Sequence, residues 1–310
     1  MANSTLLQLT QQAMQEMGVA GYGLPATVIA NTNTDVVQTL ALANGYGRQL
    51  LREHDWQFSN IEYRFTTVYY QYTATTADAS TTISVMSSTT GLTTNPTRFM
   101  VTGTGIPQDT YLVSVNAGAS TAVLSQAATA TGTLVTLTFS QTMYPMPTGF
   151  DRLVDRTHWD KSNHWEVLGP ETAQQWQWLK SGWIASGPRI RFRVLGDLYQ
   201  IWPPLSSEDY MGFEYITKYW VLATAGATPT KDSFTVDTDT CVFPDPLVTA
   251  MIKRAYFKAK GFSPVWDEDY ASQVDIAKAN DAGSKTLSFA PRPSDILISV
   301  NNLPDSNYGS

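Results

Sequence analysis

Three histidines are the first residues to test for chemistry. His54 is followed by Asp55, while His158 and His164 each precede a tryptophan with Asp160 between them. A nucleophilic relay needs an imidazole oriented by a carboxylate beside an activated serine, and no Gly-x-Ser-x-Gly elbow presents one. His158, Asp160 and His164 share one loop, yet their spacing fits no zinc pattern. Two acids flanking a sugar bond would serve a glycosidase. Asp151 with Asp155, Glu208 with Asp209, and Asp267 to Asp269 are the available sets, the last better explained by a helix start. Asp237-Thr-Asp239 resembles the opening of a calcium loop without its glycine or distal glutamate. The glycines of 18–23 and 103–105 read as turns, since neither group follows a strand and opens a helix as a nucleotide loop must. No catalytic, cofactor-binding or metal-binding set is assigned, and the chain is expected not to be an enzyme.

Charge adds two further features. Arg189, Arg191 and Arg193 alternate along a β-type run, so their side chains share one face, either solvated or set against an acidic neighbour. Lys253, Arg254, Lys258 and Lys260 crowd a predicted helix. The net charge of -7 argues against non-specific nucleic-acid binding, which needs a basic face, but suits a wall that DNA slides past. Charged residues are sparse and aromatics plentiful, the composition of buried cores and of protein interfaces. The single Cys241 precludes an internal disulfide. Neither a signal-peptide layout nor a membrane-length apolar run occurs, so a soluble protein made in a cytoplasm is expected.

The elements that would position these residues follow from periodicity. Ser4 and Asn33 or Thr34 are start signals for two N-terminal helices, the second carrying Val36, Val37, Leu40, Ala43, Leu50 and Leu51 on one face and ending at Trp56. Gly45 and Gly47 interrupt it, which implies close packing or a bend. Residues 61–72 alternate as a strand. From Thr73 the composition turns to Thr, Ala, Ser, Val and Gly, with short β-type runs separated by turn signals, so 73–142 reads as an inserted, sandwich-like all-β domain. The host resumes at Met143 with a short helix bearing Trp176 and Trp178, a hairpin over 189–202 and a strand over 211–222. Asp245 and then Ser263-Pro264 start two closing helices joined as an antiparallel hairpin. Residues 287–310 hold three prolines and scattered apolar side chains, the pattern of an arm that orders on a partner.

The order of several segments resembles the head-to-tail adaptor proteins, also called tail accessory factors, of short-tailed bacteriophages. They are LLREHDW (50–56), FDRLVD (150–155), GPETAQQW (169–176), FEYI (213–216) and DTDTCVFPD (237–245) before a helical pair. The similarity spans about residues 1–72 and 143–289; the insert departs from the shortest family members. The resemblance implies a ring, commonly of twelve subunits, between portal and tail nozzle in the neck of the virion. Such a ring continues the DNA channel without sequence-specific binding or any membrane, and its arm reaches along the portal.

The expectation is therefore an α+β chain. Its adaptor core, 1–72 and 143–286, is a helical bundle with a small β region; 73–142 is the insert and 287–310 the arm. Phe289, Arg292, Ile296, Leu297, Ile298 and Val300 are the candidate portal contacts. Trp56, Trp176, Trp178, Arg189, Arg191 and Arg193 are candidate subunit contacts. A virion-associated wall hydrolase of muramidase type, or a glycan- or receptor-binding tail component acting through the insert, are the alternatives.

Overall fold

The computed structural model describes residues 3–19, 23–181, 190–224, 226–262 and 265–281. Helix α1 (Leu6–Glu16) begins with a reciprocal cap: the Thr5 hydroxyl accepts from the backbone of Gln8, and the Gln8 side chain accepts from the backbone of Thr5. Ser4, the expected cap, instead donates through its backbone and hydroxyl to Asp245 at the far end of the chain. Helix α2 (Thr34–Glu53) is capped by Asn33 and buries Val36, Thr39, Ala43, Gly47, Leu50 and Leu51 on one stripe.

The middle of the chain is β. In order come β1 (Asn60–Thr66), β2 (Tyr69–Thr76), β3 (Thr82–Ile83), β4 (Phe99–Gly103), β5 (Leu112–Asn116), β6 (Thr121–Leu124) and β7 (Gly132–Gln141). Next are β8 (Met143–Pro145), β9 (Phe150–Leu153), β10 (Trp159–Asp160), β11 (Trp165–Glu166) and helix α3 (Ala173–Lys180). Strands β12 (Arg191–Leu195), β13 (Leu198–Trp202), β14 (Tyr210–Thr217), β15 (Val221–Leu222) and β16 (Thr240–Cys241) lead to helices α4 (Asp245–Ala259) and α5 (Asp267–Asp281). Ser263 and Pro264, read as the start of the last helix, lie outside the described residues.

These strands form five antiparallel sheets among the described residues. A five-stranded sheet runs β1-β14-β10-β11, with β9 also on β14. Sheets β12-β13-β8 and β15-β16 belong with it to the host, while β2-β7-β4 and β3-β6-β5 build the module between them.

The expected helical-bundle core with a small β region is overturned: the described residues are β-rich, with five α-helices beside several antiparallel sheets. Helices α1, α2 and α5 bury their stripes on α4, but that core is closed by non-helical residues, Trp220, Val221, Phe234, Cys241 and Phe243. A second core belongs to the sheets alone, where Phe192, Tyr199 and Phe213 stack in sequence at centroid spacings of 4.9 and 5.1 Å. The misreading has a physical cause. Helical periodicity shows over 15 to 20 residues, whereas β9, β10, β11, β15 and β16 are two to four residues long, too short to reveal alternation.

The module has its own core of Ile83, Leu92, Leu112, Leu124, Leu137 and Phe139, all fully buried or nearly so. Strand β2 starts at Tyr69 and pairs with β7 from Tyr69↔Ser140 onward, so residues 69–72, assigned to the host by composition, sit in the module's sheet. Its root is tied by the Tyr144 hydroxyl, which donates to the carbonyl of Gln141 and accepts from the N–H of Val68.

Gly47 and Gly45 separate two readings of glycine in a helix. A Cβ built on Gly47 would stand 2.3 Å from the Trp220 ring, whereas one on Gly45 meets nothing within 4 Å. Gly47 is thus the bare backbone on which a fully buried tryptophan lies, and Gly45 only weakens the helix. Gly47→Ala is expected to lower stability by about 2 kcal/mol through overpacking. Gly45→Ala is expected to raise it by up to about 1 kcal/mol through helix propensity. Urea unfolding followed by circular dichroism checks both, and equal shifts would contradict the assignment.

Candidate functional site

The candidate subunit contacts do not come together. Trp56 is 2% exposed, donates its indole N–H to the Leu50 carbonyl at 2.9 Å and sits edge-on to Phe243. Trp176 is equally enclosed, in a small cluster where Leu179 and Trp202 of the host meet Met100 and Tyr111 of the module. Both tryptophans are consumed inside the chain and leave no face for a neighbour, which corrects their reading as ring contacts. Trp178, two residues on, points outward with about half of its surface exposed.

Arg191 and Arg193 lie on one face of β12, as alternation requires, but Arg191 is ion-paired with Glu171 and Arg193 is half-buried. Arg189 lies outside the described residues, as do Phe289, Arg292, Ile296, Leu297, Ile298 and Val300. On α4, Lys253 is buried between Glu16 of α1 (2.8 Å) and Asp269 of α5 (3.3 Å) and lies over the Trp266 ring. Arg254 pairs with Asp267 and Lys260 with Asp35. Most of the expected basic face therefore fastens helices to one another.

The acids are used in the same way. Asp151 pairs with Arg52 and Arg152, and Asp209 is buried against the Ser207 hydroxyl beside Thr67. Asp237 accepts the backbone N–H groups of Val28 and Ile29, pinning the loop before α2. Burial works to raise the pKa of Asp239. The Lys231 ammonium and the N–H groups of Thr235 and Val236 more than offset it, so the carboxyl is held below its usual range. Asp160 turns inward to accept from Ser162, Asn163 and the Asn163 amide. His158 is buried and His164 stands exposed at a turn, so the loop does not assemble a metal site, and no group of three or more metal-ligating side chains occurs among the described residues. Asp55 forms an ion pair with Arg152, and His54 faces Asp281 at 3.8 Å.

Exposed aromatic and apolar side chains are what the periodic reading did not single out. Trp159 and Trp165 on the β10–β11 hairpin, Tyr210, and Phe262 with Val265 beside the α4–α5 turn are each about 40–70% exposed. The last two border a cavity of about 260 Å3 together with Phe257 and Trp266. The pairing of tryptophan with histidine in 158–165 was the one sequence signal for the hairpin. No helix among the described residues is long and apolar enough to cross a membrane.

His158 carries the clearest titration. Its ring packs against Phe192 at a centroid distance of 4.0 Å and shares a hydrogen bond of 3.3 Å with the Tyr199 hydroxyl, while Nε2 has no partner. Burial lowers its pKa from 6.5 to about 4. Between those values the unfolded chain binds a proton that the folded chain refuses. The stability is thus complete above about pH 6.5 and falls by up to roughly 3 kcal/mol as the pH drops to about 4. His158→Phe is expected to flatten that limb, read as the difference in urea midpoint between the two proteins from pH 4 to 7.

The sequence matches no protein-family model, and no curated protein matches it.

Proposed function

We propose that this chain is a structural virion protein, a subunit of the ring that joins the portal of a short-tailed phage to its tail and continues the DNA channel. The reading rests on the adaptor-like segments and on what their residues do in this fold. LLREHDW ends α2 and buries Trp56; FDRLVD supplies β9 and the Asp151 pairs; GPETAQQW supplies the Thr172–Gln175 cap of α3 and buried Trp176. FEYI is the centre of β14, and DTDTCVFPD ties the pre-α2 loop, buries Cys241 and Phe243 and delivers Asp245 to Ser4. The single observation that carries the proposal is that the segments of the resemblance coincide with the joints of the host fold. Residues spent on joints favour a scaffold role over turnover of a substrate.

The exposed apolar side chains Trp178, Phe262 and Val265 give such a subunit surface to bury on its neighbours. The ring would be made by a head-to-tail interface repeated around an axis, with about twelve copies. Its acidic charge would let DNA pass without sticking. Residues 287–310, which lie outside the described residues, would supply the contact with the portal.

Native mass spectrometry of the chain mixed with its portal tests this. The expected species is a portal carrying a ring of about twelve chains, and Phe262→Asp is expected to weaken ring formation about tenfold or more while the monomer's melting temperature holds. A chain that stays monomeric beside an intact portal overturns the proposal. So does a clear zone on a cell-wall zymogram that one acid substitution abolishes, which would favour the hydrolase instead.

A further inference from the structure

The outer face of the five-stranded sheet is not explained by the ring. Along β1, Tyr63 and Phe65 turn into the core while Glu62 and Arg64 turn out. The register sets Glu62 opposite Glu214, Arg64 opposite Gly212, and Gly212 opposite Trp159, so these residues share the outer side. Two carboxylates facing each other across a ladder repel unless compensated. Here Glu62 pairs with both Arg64 and Lys161, which hold its carboxyl down to about 2, and Glu214 accepts from the Asn60 amide at 2.9 Å.

The side chain missing at Gly212 leaves a shallow floor crossed by the stem of Lys161, which comes within 2.7 Å of where a Cβ would stand. Over that floor is a cavity of about 270 Å3, walled by Trp159, Arg156, Lys161, Glu62 and Glu214. Among the described residues Arg156 pairs with no carboxylate, and Trp159 is 44% exposed. A second cavity, of about 320 Å3, lies at the Ile216 end of the same strand, with Asn60, Asp55 and Arg152 in its walls. Gly212 and Ile216 are four steps apart on β14, about 14 Å. Glu214 stands between them and accepts from Asn60, which lies opposite Ile216 at the second cavity.

We propose that this face is a binding groove for an extended, uncharged oligosaccharide of β-1,4-linked type, with Trp159 as its stacking platform. Two cavities in line along a strand suit a straight ligand of repeating units rather than one compact molecule. The first cavity balances two carboxylates against two cations, which matches hydroxyls that donate and accept and gives no preference to an anion. A flat pyranose face covers indole as another apolar ring would. A protein partner fits less well, because closing over this face would strip water from Glu62, Arg64, Lys161 and Glu214 together, and interface centres are depleted of such charge. Sugar hydroxyls replace the water shell and leave the ion pairs partly wet.

Isothermal titration of the full chain with cellotetraose and chitotetraose tests the groove without reference to ring formation. At least one tetramer is expected to bind saturably. Trp159→Ala should weaken it about tenfold and Arg156→Gln measurably. Trp165→Ala, whose side chain sits opposite Asp160 on the other side of the sheet, should leave it unchanged. Trp159→Phe, which keeps an aromatic face, is expected to retain most of the affinity and guards against a folding defect in the alanine variant. Failure of both tetramers to bind at millimolar concentration overturns the proposal. So does binding indifferent to Trp159, or tetragalacturonate binding as tightly as cellotetraose. A fall in oligomer mass on Trp159→Ala with no change in titration would assign the face to a subunit contact and equally end the proposal.

Discussion

The close approach of Trp220 to the backbone of α2 is the contact on which the rest of the host depends. The indole is fully buried, donates to the Asp232 carbonyl at 2.8 Å, and meets Phe234 edge-on and Phe243 at a tilt. Only a residue without a Cβ at position 47 lets the ring lie there. Trp220 immediately precedes β15, so seating it against α2 fixes where the β15–β16 pair begins. Phe243 leaves that pair and leads into α4. One large side chain thereby sets the distance between the helical layer and the chain returning from the five-stranded sheet. A fault at this contact is transmitted, because interiors at crystal-like density do not absorb a displaced ring by small adjustments elsewhere.

A different kind of joint fastens the module. Its meeting with the host is a handful of side chains: Met100 and Tyr111 against Trp176, Leu179 and Trp202, with Lys180 3.0 Å from Asp109 and over the Tyr111 ring. Burial works to lower the Lys180 pKa, but Tyr111 and Asp109 outweigh it and raise it. The ammonium is therefore held charged inside an otherwise apolar contact. Such a pair adds orientation more than net stability, since each ion surrenders water to make it. The module's own core of Ile83, Leu112, Leu137 and Phe139 shares nothing with this joint. The host strands that flank the module, β1 and β8, belong to different sheets, so the module leaves one host sheet and returns to another, and this narrow, oriented contact is what fixes it against the host.

How much of this was legible in the sequence depends on the length over which a signal repeats. The stripe of α2, its cap at Asn33 and the β character of the module are carried by enough residues to be read, whereas Pro170 signals a start for α3 two residues before its actual cap, Thr172. The two-residue strands did not recur, and so the host was taken for a helical bundle. Asp109 and Ser120 turn the module's chain at positive φ without being glycines, so a reading keyed to Gly and Pro marks those turns only from nearby. Tryptophan was the least legible residue. Trp176 and Trp178 differ by two positions in one helix, about 200° of rotation, and that alone sends one into the joint and the other to solvent. Composition counts them alike.

The same limit explains why charge misled as a guide to sites. On α4 the cationic cluster looks like a surface, yet its members reach α1, α2 and α5, because a helix surrounded on several sides turns even its polar stripe toward protein. On β1 the opposite holds. Glu62 and Arg64 sit beside Tyr63 and Phe65 in sequence, but a strand sends neighbours to opposite faces, so the polar pair stays outside, with no second layer over it among the described residues. A chain poor in charge can satisfy its helices internally only by drawing on the few cations it has. What remains on the sheet's outer side is then a set of ion pairs facing water, beside an Arg156 that pairs with no carboxylate among the described residues. That exposed polarity, bordered by a half-exposed tryptophan, is where this fold has capacity left for recognition.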